Sequence, residues 1–380
     1  MVILAIAAAV PALIWGYLLL GRGRFWRIGD LIVRPAGGSA AARRVAVIIP
    51  ARNEAAGIAR SIASLLESAD GSLHIFLVDD SSADGTALLA TQAAVSVGKV
   101  ASLTVLQGHP LPPGWSGKLW AVSQGIAAAR DFAPDFLLLS DADIVHSPAT
   151  IPSLLDIAES GGYDLVSFMV KLHCRGWAEK MLIPAFVFFF FKLYPPAWIS
   201  SSRRATAGAA GGCLLIRPQA LARAGGMEAI RGEIIDDCAL ARAVKRSGGK
   251  LWLGLTDASA SIRPYGSFAE IGRMISRTAF NQLHHSTLLL LGAVVGMAVT
   301  YLLPPALLLS RHLAPIALGA LAWAFMCAAY LPLVRFYRVN PLWTFTLPLA
   351  ALFYTGATLH SAVKFWLGRG GQWKGRAQDL

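Results

Sequence analysis

Pairs of acidic residues directly follow two short apolar segments, and this pattern restricts the possible folds most strongly. Asp79 and Asp80 come after apolar residues 75–78, whereas Asp141 and Asp143 come after apolar residues 136–139. Short, continuously apolar runs are typical of buried strands. In an open α/β sheet, side chains that follow the strands gather in one crevice at the carboxyl edge, where ligands bind. We therefore expect these acids to line one site.

A third acidic pair, Asp236 and Asp237, lies further along the same region. Several carboxylates in one crevice are costly unless a cation enters or one of them is kept to accept a proton. Metal-assisted transfer from a nucleotide diphosphate meets both needs, and the acidic pattern favours this chemistry.

The region from residue 45 onward alternates between strand and helix patterns, which predicts a mostly parallel, doubly wound α/β sheet. The predicted strands are 45–49, 74–78, 103–106, 136–139 and 165–170, and the predicted helices are 55–67, one beginning near Thr86, and 118–130.

The apolar residues are concentrated near the two ends of the chain. Overall, 55% of the 380 residues are hydrophobic, and the mean hydropathy is +0.55. Residues 2–20 are long enough to span a bilayer, as are the segments 287–310, 313–334 and 341–367. We therefore divide the chain into an anchor at 1–21, an α/β domain at 45–280, a transmembrane region at 287–368 and a basic tail at 369–380.

Arginines follow the first apolar segment, beginning with Arg22, Arg24 and Arg27. The positive-inside rule then predicts a multi-pass protein of the inner membrane, with its α/β domain in the cytoplasm. Three later crossings would place Arg369 and Lys374 outside, so either one late segment is re-entrant or the charge rule fails. Residues 181–199 are apolar but interrupted by Pro184, Lys192 and Pro195–Pro196, which favours a membrane-surface helix or the lining of a lipid-facing groove over a buried core helix.

The net charge of +12 does not indicate nucleic-acid binding, because the basic residues cluster beside the apolar segments. Attraction to anionic lipid headgroups explains this placement. The expected partners are therefore membrane lipids, with no nucleic acid.

Several motifs together resemble one known family. Residues 50–54 read PARNE, residues 78–86 read VDDSSADGT, and residues 141–143 read DAD. In order and spacing this set resembles the family-2 inverting glycosyltransferases of the GT-A fold. The sequence GWSGKLW at 114–120 and the flanking apolar segments are similar to the hopene-associated glycosyltransferases. The resemblance implies a Rossmann-like nucleotide-diphospho-sugar transferase domain between N-terminal and C-terminal transmembrane helices.

Asp141 and Asp143 are the candidate metal ligands. Two carboxylates one residue apart at a strand end offer oxygens to Mg²⁺ or Mn²⁺, and bound phosphates complete the coordination. The resemblance implies that Asp143 ligates the metal and that Asp141 approaches the sugar or ribose. A turn capped by an Asp is the structural alternative.

The resemblance places further residues around the nucleotide. It implies that Asp80, beside Asp79, hydrogen-bonds the uracil or ribose, and that a lysine at a helix start pairs with phosphate. The nucleotide-sugar-binding candidates are Pro50, Ala51, Glu54, Asp79, Asp80, Lys118, Asp141 and Arg277. Helix capping near Asp80, a solvated Lys118 and a surface position for Arg52 are the alternatives.

Asp237 is the candidate catalytic base by the same resemblance, with Asp236 as its neighbour. A single in-line displacement needs one carboxylate to take the acceptor's proton, and a neighbouring acid raises the pKa of that carboxylate. Either Asp also fits a helix N-cap.

These residues together predict a metal-dependent hexosyltransferase that moves a sugar from a UDP-sugar, with inversion, onto a lipid hydroxyl. The resemblance suggests a hopanoid or another polyisoprenoid as acceptor. The alternatives are a membrane nucleotidyltransferase and a non-catalytic membrane scaffold or transporter with a relic nucleotide-sugar domain.

Overall fold

The computed structural model describes residues 2–33, 43–68, 71–368, 372–373 and 376–377. Eight of the twelve residues of the expected basic tail lie outside the described residues, among them Arg369 and Lys374. The described residues fall into two compact units, one built around a β-sheet and one formed by helices.

The elements in chain order are as follows. The strands are β1 Val45–Ala51, β2 Leu73–Asp79, β3 Leu103–Gln107, β4 Phe136–Ser140, β5 Ile144–His146, β6 Leu165–Lys171, β7 Cys213–Ile216, β8 Leu251–Ser261, β9 Gln372–Trp373 and β10 Arg376–Ala377. The helices are α1 Val2–Leu20, α2 Ile58–Glu67, α3 Thr86–Ser96, α4 Gly117–Ala128, α5 Thr150–Ser160, α6 Trp177–Leu193, α7 Pro196–Ile199, α8 Pro218–Arg223, α9 Asp236–Arg246, α10 Phe268–Ser276, α11 Thr287–Met297, α12 Leu303–Leu307, α13 Leu313–Phe336 and α14 Leu347–Trp366.

The sheet unit comprises the described residues within 31–173, 198–263 and 371–380. Its main sheet has the order β3-β2-β1-β4-β7-β6-β8-β5. Strands β1, β2, β3 and β4 run parallel, and Ala51 at the end of β1 pairs with Asp79 at the end of β2. The acids that follow β2 and β4 therefore leave the sheet at the same edge, as the sequence predicts.

The α/β architecture is confirmed, but the second half of the sheet is not parallel. Strand β7 runs antiparallel to both β4 and β6, and β5 runs antiparallel to β8. Only β6 and β8 are parallel in that half. Strands β5, β7 and β8 were not among the predicted strands. β5 and β7 have only three and four residues, so their direction is set by the neighbouring strands rather than by a sequence pattern.

Helices cover both faces of the sheet because consecutive strand residues point to opposite sides. On one face, Val47 and Ile49 are buried in a cluster with Ile58 and Ile62 of α2. On the other face, α4 approaches through Gly125, where a Cβ atom would lie 2.6 Å from Ile48 Cγ2. Glycine at this position lets helix α4 pack directly on β1.

The helical unit comprises the described residues within 1–30, 174–197 and 264–370. Its interior includes Trp15, which is fully buried and donates from Nε1 to the Thr300 carbonyl at 2.8 Å. Within the described residues, four helical segments are long and apolar enough to cross a membrane, namely Trp177–Ile199, Thr287–Leu307, Leu313–Phe336 and Pro341–Trp366. The last three coincide with the predicted C-terminal segments.

The segment Trp177–Ile199 differs from the other three because both of its ends connect to the same sheet. Helix α6 continues through Pro184 and Lys192 and ends at Leu193, so of the expected interruptions only the one at Pro195–Pro196 is present. Five residues lie between the end of β6 and Trp177. At the other end of the segment, the carbonyls of Trp198 and Ile199 accept hydrogen bonds from Lys245 of α9.

Candidate active site

Lys118 joins two of the acidic pairs. Its position in the first turn of α4 is fixed by Ser116, the N-cap, which accepts from the Leu119 amide. The Lys118 Nζ atom lies 2.9 Å from Asp141 Oδ1 and 3.0 Å from Asp236 Oδ2. The end of β4 and the start of α9 therefore meet at one ammonium group.

The carboxylates keep Lys118 charged in a largely buried position. Burial alone would lower the pKa of Lys118, but Asp141 and Asp236 outweigh this effect and raise the pKa well above its ordinary value. The bridge replaces the solvated lysine that was one alternative. The predicted contact between Lys118 and a donor phosphate stays a prediction.

Asp237 is held by two backbone amides. Its Oδ2 accepts from the Gly211 amide at 2.9 Å, and its Oδ1 accepts from the Cys238 amide at 2.7 Å. Helix α9 begins at Asp236 and has Ile235 at its N-cap. The contact with Gly211 therefore reaches across to another segment of the chain, which a simple helix cap does not do.

The surroundings of Asp237 favour its protonated form. Burial raises the pKa of Asp237 most, and the neighbouring Asp236 raises it further, whereas Lys118 and the two amides act in the opposite direction. A carboxylate whose pKa is raised towards neutrality is suited to accept a proton from a substrate. This environment fits the role predicted for Asp237.

Asp143 lies in a second strongly acidic environment. Burial, followed by the charges of Asp141 and Glu54, raises the pKa of Asp143 to about 6, although Arg263 and a hydrogen bond from Ser261 oppose this shift. The Ser261 hydroxyl donates to Asp143 Oδ2 at 3.2 Å. The mutual repulsion of these carboxylates is what a divalent cation would relieve.

The residues available for a metal form a partial set. In the described part of the chain, no three His, Cys, Asp or Glu residues lie close enough together to hold an ion. Asp141 and Asp143 fit a divalent cation that takes its remaining oxygens from a diphosphate and water, which is how Mg²⁺ commonly binds. Their assignment as metal ligands stays a prediction.

Asp79 and Asp80 shape the turn after β2. Asp79 Oδ1 accepts from the Ser82 amide at 3.1 Å, and Asp80 Oδ2 lies 3.2 Å from Arg52 Nη1. Both acids are buried, being 5% and 3% exposed. Arg52 is therefore a partner of Asp80, and its interpretation as a surface charge is wrong. The uracil or ribose contact of Asp80 stays a prediction.

The loops after β1 and β2 are tied together by side-chain hydrogen bonds. Ser82 Oγ accepts from the Asn53 amide, and Thr86 Oγ1 accepts from the Glu54 amide, both at 2.9 Å. Asp84 accepts from the Ala55 amide at 3.0 Å. These bonds fix the backbone of Glu54 at the edge of the sheet where Asp79 and Asp80 also lie.

One pocket gathers five of the predicted residues. Its polar lining includes Lys118, Asp141, Asp236 and Asp237, and Pro50 of β1 also lines it. The other predicted residues of the sheet unit are not part of this lining, namely Ala51, Glu54, Asp79, Asp80 and Asp143. The Ala51 carbonyl accepts from the Asp80 amide at 2.8 Å, which links the turn after β2 to β1.

Arg277 belongs to the helical unit, where it is the residue that follows α10. Its assignment as a nucleotide-sugar-binding residue stays a prediction.

The sequence did not identify three residues that act on the candidate acids. Gly211 donates to Asp237, Ser261 donates to Asp143, and the charge of Arg263 lowers the pKa of Asp143. Ser261 ends strand β8, whose residues 251–261 lack regular alternation, so no periodic signal placed it beside Asp143. The glycine-rich stretch around Gly211 is visible in the sequence, but its contact with Asp237 is not.

Residues 46–225 match the family model described as Glycosyl transferase family 2. The chain is also similar to two curated relatives, the undecaprenyl-phosphate 4-deoxy-4-formamido-L-arabinose transferases of Aeromonas hydrophila subsp. hydrophila and Serratia proteamaculans. The identity is 29% over 140 residues for the first and 29% over 145 residues for the second. Each match covers 36% of this chain and 40% of the relative, so the chain spans well under half the length of these proteins.

A solved structure with a similar fold is the mannosyltransferase from Pyrobaculum calidifontis in complex with GDP-Man and Mn²⁺. The TM-score is 0.50 at 18% sequence identity, and the match covers 95% of this chain and 99% of the other. At this identity the likeness shows a shared GT-A fold.

Proposed function

We propose, from the match of residues 46–225 to the family model described as Glycosyl transferase family 2, that the protein is an inverting, membrane-bound glycosyltransferase that moves a hexose from a UDP-sugar to the hydroxyl of a polyisoprenoid lipid. A hopanoid is one such lipid. One observation carries this proposal: Asp237, a carboxylate whose burial raises its pKa, lies in the same pocket as the Lys118–Asp141 ion pair.

In this proposal the acids after β4, Asp141 and Asp143, and the acids at the end of β2, Asp79 and Asp80, bind different parts of the donor. Asp143 and Asp141 hold Mg²⁺ or Mn²⁺ together with the donor diphosphate, and the cation supplies charge neutralisation for the departing nucleoside diphosphate. The buried Asp80, with Asp79, accepts hydrogen bonds from the nucleoside at the carboxyl edge of β2. Pro50, Ala51 and Glu54 line the same end.

Lys118 and Asp237 lie where the sugar and the acceptor would meet. The Lys118 ammonium, already between Asp141 and Asp236, is placed to exchange one of these partners for a phosphate oxygen. Asp237 takes the proton of the acceptor hydroxyl as that oxygen attacks the sugar. Its two amide donors orient the carboxylate before the acceptor arrives.

The protonation state of the acceptor distinguishes a lipid hydroxyl from a lipid phosphate. The names of the curated relatives indicate an undecaprenyl-phosphate acceptor, and a phosphate is already ionised at neutral pH, so it needs no general base. A hydroxyl does need one. The raised pKa of Asp237 supports the hydroxyl acceptor for this chain, with the lipid phosphate as the second candidate.

A membrane location agrees with the apolar helices. The three segments from Thr287 to Trp366 are long and apolar enough to span. Trp177 and Trp366, near the ends of such segments, are 78% and 55% exposed, as is common for the aromatic residues that lie at membrane interfaces. We propose an inner-membrane protein with a cytoplasmic catalytic domain, in which Trp177–Ile199 lies along the membrane surface.

The proposal is tested by mass spectrometry of lipids after the purified protein is incubated with Mn²⁺ and a panel of UDP-sugars. The panel of acceptors contains a hopanoid alcohol, a polyprenol and the matching polyprenyl phosphate. We expect a hexosylated product from one of the two alcohols. A product only from the phosphate would support the second candidate, and the absence of any product together with no Mn²⁺-dependent UDP-sugar binding in calorimetry would support the non-catalytic scaffold.

Replacing Asp236 should move the acid limb of the pH profile to lower pH. The charge of Asp236 raises the pKa of Asp237, and activity that requires ionised Asp237 is lost as pH falls through that pKa. In Asp236→Asn the pKa of Asp237 falls, so kcat/KM for the acceptor, measured from about pH 5 to 9 with saturating donor and Mn²⁺, should persist to lower pH.

The matched control is Glu233→Gln, which removes an exposed carboxylate three residues before Asp236. Its acid limb should coincide with that of the wild type. An unchanged limb in Asp236→Asn, or one that moves to higher pH, would contradict the assignment of Asp237 as the base.

A further inference from the structure

Lys245 on α9 binds four backbone carbonyls of one irregular segment. Its Nζ atom lies 2.7 Å from the Ile199 oxygen, 2.8 Å from that of Thr206, 3.1 Å from that of Ser201 and 3.3 Å from that of Trp198. Burial lowers the pKa of Lys245, so its position is costly for an ammonium group and is offset by these acceptors. A surface lysine on an exposed helix face would not make such a set of contacts.

The same helix holds the following part of that segment through the proposed base. Asp237 in the first turn of α9 accepts from the Gly211 amide at 2.9 Å, and Lys245 lies eight residues later, about 12 Å along the helix. Only four residues lie between Thr206 and Gly211. The segment 198–211 is therefore fastened to α9 at two points.

Gly211 lies on the reacting side of Asp237. A Cβ atom added to Gly211 would be 3.4 Å from Asp237 Oδ2 and 3.6 Å from Lys118 Nζ. A shift of this backbone by a fraction of an ångström would therefore change both the orientation of the carboxylate and the space in front of it. Because the hydrogen bond from Gly211 favours the ionised form of Asp237, the same shift would also alter how readily the base takes up a proton.

We propose that Lys245 is a positioning residue that sets the register of segment 198–211 and thereby holds the Gly211 amide on Asp237. This inference rests on the proposed function of Asp237. The hydrogen bonds of Lys245 go to this segment, whereas the loops that carry Asp80 and Glu54 are held by their own separate hydrogen bonds. Loss of Lys245 should thus impair acceptor activation and leave donor binding intact.

The test compares Lys245→Met with Arg246→Met, which removes the same charge from the next, exposed position of α9. In Lys245→Met we expect kcat to fall about tenfold to a hundredfold, the loss typical of a reacting group displaced by about 1 Å. The dissociation constant of the UDP-sugar with Mn²⁺ should stay within about twofold of wild type. Arg246→Met should match the wild type in both measurements.

Two further readouts separate positioning from general stability. Burial and the charge of Asp236 raise the pKa of Asp237, whereas Lys118 and the amides of Cys238 and Gly211 lower it. Weakening the Gly211 hydrogen bond in Lys245→Met should therefore move the acid limb of kcat to higher pH. Hydrogen exchange of peptides covering 206–211 should become faster. This exchange measurement does not depend on turnover, so it tests the inference even if the proposed transfer reaction proves wrong.

A milder variant, Lys245→Gln, keeps the test valid if Lys245→Met does not fold. Glutamine keeps two N–H donors, so this variant should give intermediate values of kcat, of the pH of the acid limb and of the hydrogen-exchange rate. If folded Lys245→Met or Lys245→Gln keeps the wild-type kcat, the wild-type acid limb of the pH profile and the wild-type hydrogen-exchange rate of residues 206–211, the proposal is overturned. Equal losses of donor affinity, thermal stability and kcat would also overturn it, because they would indicate a purely structural lysine.

Discussion

Asp237→Asn is expected to lose sugar transfer to a lipid hydroxyl by a factor of about 10² to 10⁴, the usual contribution of a general base, while the donor affinity stays close to that of the wild type. The substitution removes the proton acceptor and keeps the shape of the side chain. Asparagine Oδ1 still accepts from one of the two amides, those of Gly211 and Cys238, that hold the carboxylate. The measurement is kcat for product formation, with the donor dissociation constant determined separately by calorimetry.

The fold should tolerate this change well. Because burial raises the folded-state pKa of Asp237, the cost of ionising this side chain in the folded protein accumulates as pH rises from the unfolded-state pKa and is complete above the folded-state pKa. A neutral asparagine has no such cost, so the melting temperature at pH 8 should be equal to or above that of the wild type. A low melting temperature would show that the loss of activity reflects unfolding rather than the loss of a base.

The same variant also distinguishes the two acceptor classes. Transfer to a phosphate needs no proton acceptor, so an enzyme with a lipid-phosphate acceptor should retain most of its activity in Asp237→Asn. Full activity of this variant with a lipid alcohol would contradict the role of Asp237 outright.

Asp143→Asn is expected to weaken Mn²⁺-dependent binding of the UDP-sugar by about 100-fold or more, since loss of even an outer-shell partner commonly costs about 10- to 100-fold in metal affinity. Asp143 is repelled by Asp141 and Glu54, and in the absence of a cation this repulsion has no benefit. The variant should therefore fold as stably as the wild type. Calorimetric titration of the donor with Mn²⁺ and with EDTA measures the effect.

The control for this experiment is Asp164→Asn, an acid of the sheet unit that pairs with Arg223 at 2.8 Å instead of with the candidate site. Its donor affinity should not change. Wild-type donor affinity in Asp143→Asn, with the same dependence on Mn²⁺, would exclude Asp143 as a metal ligand.

Much of the first half of the sheet could be predicted from the sequence because its strands are apolar runs of five to seven residues, and a helix follows β1, β2 and β3. β1 and β2 have seven residues each, and all but one of their residues are buried. In the second half only β6 gives this signal. β7 has four residues, runs antiparallel and comes directly after glycines, so its place between β4 and β6 is decided by tertiary pairing.

The candidate site could likewise be predicted from the sequence only in part. Acids that directly follow predicted strands, such as Asp141, could be assigned to one edge of the sheet from their positions alone. The contacts that join these acids could not be predicted from the sequence, because they depend on segments that are distant along the chain. Lys118 bridges Asp141 and Asp236 across the pocket, and Ser261 reaches Asp143 from a strand that was not predicted.

The alternative of a surface position for Arg52 was wrong for a related reason. A charged side chain next to a strand is usually solvated, and nothing in the local sequence shows that Asp80, 28 residues later, lies within 3.2 Å of its guanidinium. The parallel register of β1 and β2, which aligns Ala51 with Asp79, creates this ion pair.

The central claim is that separate acidic pairs serve one reaction, and a structure of the protein with Mn²⁺ and a non-hydrolysable UDP-sugar tests it most directly. We expect Mn²⁺ between Asp143 and the diphosphate, the nucleoside at Asp80, and Asp237 on the face of the sugar C1 atom opposite the leaving group. A nucleotide bound away from Asp143, or a sugar whose C1 atom turns its leaving-group side towards Asp237, would contradict the claim.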